Sequence, residues 1–182
     1  MALPNAVERE AMHRRTVNVW GYRRKDQLWD IEAHLTDSRA KPFVNPWRGE
    51  VLPGEPLHDM WLRLTVDDGF KIHALEVASD KSPYPACSLG TIAFARLVGL
   101  TIEPGWKKKV KERVGGAAGC IHLAELLDPI GSVVMQTILP YMYEKGIFEK
   151  NPRSGLIDSC YAYQRSGEVV ERLWPSLPRP NS

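Results

Sequence analysis

Long apolar segments are missing from this sequence. No uninterrupted apolar run reaches the ~18 residues that a membrane-spanning helix requires. The first 15 residues mix charged, polar and apolar side chains, unlike the apolar centre of a secretory signal peptide. The sequence therefore predicts a cytoplasmic location and no membrane partner.

Cysteine is scarce, and neither sign of charge dominates. The three cysteines are widely spaced without a Cys-x-x-Cys pair, which predicts free thiols and no disulfide framework. A net charge of +2 is too small to indicate a nucleic-acid partner. The one basic cluster, at residues 107–113, is typical of a solvated helix face.

The remaining composition is that of an ordinary globular protein. Apolar residues make up 43% of the 182 residues and charged residues 25%, which is sufficient for a substantial core. We expect one domain over residues 1–182, in which residues 1–15 form a lead-in and residues 165–182 a loose tail.

Alternating apolar and polar residues predict two β-hairpins. The first joins residues 16–22 to residues 28–36, and the second joins residues 59–66 to residues 70–79 through a turn at Asp67-Asp68-Gly69. Two sets of apolar side chains each share one strand face. They are Trp29, Ile31, Ala33 and Leu35, and Met60, Leu62, Leu64 and Val66.

Between the hairpins, residues 37–57 are rich in proline and too long for a tight turn, as in lids and binding loops. After Cys87 the apolar period changes to that of helices. We expect helices at residues 88–98, 106–114 and 119–139, with Asp128-Pro129 either kinking the last one or capping a new segment.

Strands followed by helices are typical of the α+β class. The predicted fold is an antiparallel sheet of about four strands, within residues 16–79, covered by C-terminal helices within residues 88–139.

A glycine-rich turn opens the last predicted helix and places Cys120 and His122 in its first turn. Unpaired backbone N–H groups at a helix start can bind an anion or favour a thiolate. The alternative is a glycine-hinged core helix in which Cys120 is a small buried apolar side chain. The sequence leaves both interpretations open.

Five motifs occur in a fixed order along the chain: WGYRR at 20–24, LWDIEAHLTD at 28–37, PLHDMW at 56–61, GW at 105–106 and GCIHL at 119–123. Through these motifs, residues 12–165 resemble a bacterial family, number 2889 in the domain-of-unknown-function series. The resemblance implies a cofactor-independent lyase of aromatic catabolism. Its substrate would be a phenolic lignin-derived dimer, from which it releases a hydroxymethyl group as formaldehyde.

A weaker likeness of fold covers residues 60–138. A hairpin turning at Asp-Asp-Gly, a cysteine soon after it and a Gly-Cys helix start are similar to iron–sulfur scaffold proteins of the IscU and SufE kind. The first cysteine motif and the late His-Cys pair of those scaffolds are missing. One alternative function is therefore metal or iron–sulfur delivery through Cys87, Cys120 and Cys160. A second alternative is a non-enzymatic regulatory or interaction module.

The reaction implied by the resemblance needs a base for the hydroxyl proton, a donor for the developing oxyanion and an apolar pocket. His58, aided by Asp59, is the best base candidate because it lies where the flexible loop enters a strand. His34 and His122 are the other candidates. A regular strand would point Asp59 away from His58, in which case His34 or Asp37 would orient the ring.

Arginine and tyrosine in the first hairpin are candidates for holding the phenolate. Arg24 or Tyr22 is predicted to steady the oxyanion and Arg23 to bind the substrate, although charge at a hairpin turn is equally typical of solvated surface. Three further side chains are predicted to contact a small aromatic substrate: Trp47, Trp61 and Cys120. His73 is expected to be a core histidine and His13 a surface residue.

A metal site is a further alternative. His34, His58 and His122 with Cys120, or Cys87 with Cys160, could assemble a zinc or iron site. Only Cys120 and His122 are close in sequence, and residues two apart on a helix point to different sides. The sequence therefore predicts a site without metal or cofactor. A homo-oligomer is a separate prediction.

Overall fold

A computed structural model describes residues 3–146 and 156–178. Its strands are β1 (His13–Arg23), β2 (Trp29–Arg39), β3 (Phe43–Asn45), β4 (Gly49–Val51), β5 (Pro56–Val66) and β6 (Ile72–Lys81). Its α-helices are α1 (Trp106–Val114), α2 (Ile121–Glu144) and α3 (Glu168–Leu173), and 3₁₀ helices occur at Pro85–Leu97, Gly116–Ala118 and Tyr161–Tyr163.

Four long strands form one antiparallel sheet in the order β1-β2-β5-β6, and β3 pairs with β4 in a separate ribbon. The α+β prediction is confirmed. Both predicted sets of apolar side chains, on β2 and on β5, are buried on the same face of the sheet.

Helix α2 covers this apolar face. Its buried side chains recur every three or four residues, as the helical period requires, and pack against the sheet in one core. They are Leu123, Leu126, Leu127, Ile130, Val134, Ile138 and Met142. No helix in the described part of the chain combines the length and apolarity needed to cross a bilayer.

Of the two alternatives at Asp128-Pro129, the structure excludes a new segment, because Pro129 lies inside the continuous helix α2. An internal proline costs a helix about 3 kcal/mol. Buried side chains on both sides of Pro129, such as Leu126 and Ile130, offset that cost and keep the helix continuous.

Several predicted boundaries shift. The predicted α-helix at residues 88–98 is instead part of a 3₁₀ helix that ends at Leu97, and β1 begins at His13, inside the predicted lead-in. Strand β5 begins at Pro56, which places His58 within the strand instead of at the end of the loop. Part of the predicted loose tail forms α3, whose Val170 packs in a small separate cluster.

Gly21 allows α2 to approach β1 closely. It lies on the core face of β1, opposite Ile31, and a Cβ atom added there would lie 2.0 Å from Oγ1 and 2.8 Å from Cβ of Thr137. Both distances are far below van der Waals contact, so a larger side chain would displace the helix.

We expect Gly21→Ala to lower the free energy of unfolding by roughly 1–3 kcal/mol, because the added methyl group overpacks the helix–sheet contact. Urea denaturation measures the change. Thr137→Ala in the same chain should recover part of the loss, since it removes Oγ1 but leaves Cβ. Full stability of the single variant, or no recovery in the double variant, would contradict this packing.

Candidate functional site

Two buried polar residues lie where the apolar face of the sheet ends. Asp37 on β2 and His58 on β5 are cross-strand partners beside a β-bulge between Asp37 and Ser38. They are 2% and 6% exposed. Buried polar side chains need hydrogen-bond partners, so the contacts of these two define the site.

Asp37 orients the ring of His58. Nδ1 of His58 lies 3.0 Å from Oδ2 of Asp37. An ionised carboxylate can only accept hydrogen bonds, so Nδ1 carries the proton and donates it to Asp37. Nε2 of His58 is then left with a lone pair, as in a general base.

Arg15 on β1 fixes the carboxylate from the other side. Its Nε donates to Oδ1 of Asp37 and its Nη2 donates to Oδ2, both at 2.8 Å. Its Nη1 donates to Glu125 on α2, so one guanidinium joins the sheet to the helix. Nε2 of His13 also lies 3.2 Å from Oδ1 of Asp37. Arg15 was not predicted as a site residue, because the first strand was predicted to begin at residue 16. His13 is exposed at the surface, as predicted, although its ring reaches Asp37.

His122 completes the site from the first turn of α2. Its ring centre lies 3.8 Å from that of His58, and the two planes are tilted by 36°. One potential ligand atom each from Asp37, His58 and His122 lies within 4.8 Å of the others. Within residues 3–146 and 156–178 this is the one such group of three histidine, cysteine or acidic side chains.

The surroundings set the protonation states. Burial lowers the pKa of His58, and the charge of His122 lowers it further, against the opposing effect of Asp37. Burial and Arg15 lower the pKa of His122. Burial alone would raise the pKa of Asp37, but the hydrogen bond from Arg15 and the nearby positive charges lower it overall. At neutral pH the site therefore holds one carboxylate and two uncharged imidazoles.

A second histidine–aspartate pair lies on the opposite face of the sheet. Asp59 bonds to Nε2 of His34 at 2.7 Å instead of contacting His58. The ring of His34 stacks on Trp61 at 3.9 Å, and Trp61 stacks in turn on Trp20. Asp37 therefore orients the ring of His58, because Asp59 points to the other face of the strand.

The predicted arginine clamp is at the other end of the sheet. Tyr22 pairs with Asp30, seven residues before Asp37 on β2, which at ~3.3 Å per residue is ~23 Å away. Arg24 bonds to Asp26 and Asp30. Tyr22 and Arg24 therefore cannot contact the same small substrate molecule as His58.

The other predicted substrate contacts are dispersed. Arg23 lies 3.9 Å above the ring of Tyr141, at the same far end of the sheet. Trp47 is 60% exposed and contacts Tyr84, and Trp61 lies on the outer face.

Cys120 immediately precedes α2 and packs against the core, which favours its interpretation as a small apolar side chain. The Asp37–His58–His122 group, the one three-ligand group within the described residues, contains no cysteine. His73 is exposed and bonds to Asp67 at 2.7 Å, so its prediction as a core histidine is wrong.

A cavity of about 770 Å³ lies elsewhere, on the side of α2 that faces α1 and residues 156–163. Its walls include Trp106, Met135, Leu139 and Tyr163, and none of the three clustered residues lines it. The volume suited to an apolar ligand and the histidine pair are thus on different sides of α2.

The family model described as "Protein of unknown function (DUF2889)" matches residues 13–136. That span contains Arg15, Asp37, His58, His122 and Glu125. No curated protein and no solved structure matches the chain, so the likeness to iron–sulfur scaffold proteins finds no support there.

We expect Asp37→Asn to lower the free energy of unfolding by about 1–3 kcal/mol, because it leaves Arg15 without its buried charged partner. Asp59→Asn is the matched control, since it alters the other histidine–aspartate pair. Its half-exposed position should limit the loss to less than about 1 kcal/mol. Urea denaturation of both variants checks the difference. Equal losses would show that the buried pair has no special role in stability.

Proposed function

The chain belongs to this family of unknown function, and we propose that it is a carbon–carbon lyase acting by acid/base catalysis. It releases a hydroxymethyl group of a phenolic, lignin-derived aromatic dimer as formaldehyde. The observation that supports the proposal is the buried hydrogen bond between Asp37 and His58, which leaves an uncharged imidazole with a lone pair at Nε2.

The reaction is redox-neutral and needs one proton acceptor. Nε2 of His58 takes the proton of the hydroxymethyl oxygen, whose electron pair becomes the second bond of the formaldehyde carbonyl. The phenolate first expels the oxygen substituent of the benzylic carbon, which converts the ring into a quinone methide. The carbon–carbon bond to the hydroxymethyl group then breaks, and its electron pair forms the side-chain double bond, so that the ring becomes aromatic again and the negative charge ends on the phenolate oxygen. The proton on His58 passes to the oxygen that left the benzylic carbon. A positioned general base contributes about 10²–10⁴-fold to such a step.

Arg15 and His122 are the groups beside the base that can stabilise the oxyanion. The side chain of Arg15 is 36% exposed, so the guanidinium lies at the rim of the site while it holds Asp37. A positive charge fixed before the reaction stabilises developing negative charge without reorganisation. In this proposal Arg15 and His122 stabilise the oxyanion, which is the role predicted from the sequence for Arg24 or Tyr22.

Asp37 acts as a positioning residue. Its carboxylate holds the proton on Nδ1 of His58, so the lone pair stays on Nε2. A cytoplasmic location and a homo-oligomeric assembly stay predictions.

We expect purified protein to release formaldehyde from phenolic dimers that carry a free hydroxymethyl group. Dimers with a methylated phenol should not react, because the phenolate supplies the electronic push. A formaldehyde assay across such a panel measures both results. No formaldehyde from any free phenol would contradict the proposed reaction.

His58→Gln should lower kcat by ~10²–10⁴-fold in protein that circular dichroism shows to be folded. His73→Gln, which alters an exposed histidine–aspartate pair, should retain wild-type turnover. A loss of less than threefold in His58→Gln, below the general-base range, would remove His58 from the mechanism. A loss confined to His34→Gln would assign the base to the outer face instead.

A further inference from the structure

Asp37, His58 and His122, which meet at the start of α2, are also a set of metal ligands. Imidazole nitrogens suit zinc and other divalent transition metals, and zinc also accepts carboxylate oxygen. Their ligand atoms lie within 4.8 Å of one another, and two of the three residues are buried. We propose that Asp37, His58 and His122 together bind one Zn²⁺ ion.

The geometry requires only small movements. Zn²⁺ binds nitrogen and oxygen at about 2.0–2.2 Å in tetrahedral sites, so two ligand atoms of one ion lie about 3.3 Å apart. Nδ1 of His58 and Oδ2 of Asp37 are already 3.0 Å apart. His122 lies on the first turn of α2 and is half-buried, so its ring can turn toward the ion.

Arg15 is compatible with the ion. Oδ2 of Asp37 now accepts two hydrogen bonds, one from Nη2 of Arg15 and one from Nδ1 of His58. The ion replaces the proton on Nδ1, while Nε of Arg15 continues to hold Oδ1. Outer hydrogen bonds of this kind orient ligating carboxylates in metal sites.

Metal binding and base catalysis exclude each other. When Nδ1 of His58 binds the ion, the neutral ring carries its proton on Nε2. The lone pair that acts as the base is then lost. Inhibition by Zn²⁺ therefore rests on the proposed lyase function, whereas binding of Zn²⁺ does not.

The test titrates metal-free full-length protein with Zn²⁺ by calorimetry and with Co²⁺ by visible absorption. We expect one ion per chain and ligand-field bands from Co²⁺. His58→Gln and His122→Gln should each weaken binding at least about tenfold, because each removes a direct ligand. His122→Gln carries the test if His58→Gln fails to fold, since His122 is half-buried.

His73→Gln is the matched control and should change the affinity less than twofold. The absence of saturable binding overturns the inference, as does wild-type affinity in His122→Gln. Saturable Zn²⁺ binding without formaldehyde release would support the metal site and contradict the lyase function. Formaldehyde release without Zn²⁺ binding would support the lyase function and contradict the metal site. When both are observed, saturating Zn²⁺ should abolish turnover.

Discussion

The ion pair between Arg15 and Asp37 connects every element that builds the candidate site. Asp37 lies on β2, Arg15 on β1, and the same guanidinium reaches Glu125 on α2. Asp37 in turn holds His58 on β5. A buried carboxylate is stable only with such partners, so the position of the helix start and the orientation of the histidine follow from one charge.

Most of the fold could be predicted from sequence because the apolar period is clear. The apolar sets on β2 and β5 identify both strands and the face that α2 covers. The errors occur where the surrounding structure decides what the local pattern leaves open. Pro129 left a kinked helix and a new segment as alternatives, because the packing on both sides of it is a tertiary effect that a local pattern does not contain. The 3₁₀ form of residues 85–97 and the exact start of β5 depend in the same way on the surrounding structure.

The candidate site was predicted only in part. His58 and His122 were singled out by residue type and by position at the start of an element, and the structure brings them together. Asp37 was one of the two residues predicted to orient His58, whereas Arg15 was not predicted. Both are distant from His58 in sequence, and only the strand register makes them neighbours. Arg24 and Tyr22 were assigned to the same substrate because the sequence does not show how the first hairpin pairs with the second. That pairing places His58 beside Asp37, at the open end of the first hairpin.

Consecutive residues of β5 serve two different histidine–aspartate pairs, since His58 faces the core and Asp59 faces outward. Insertion or deletion of one residue early in this strand would exchange the two environments, because side chains alternate strictly between faces. A solvated carboxylate would enter the core, and the imidazole would leave it. In evolution, this strand can therefore accept substitutions far more readily than any change in its length.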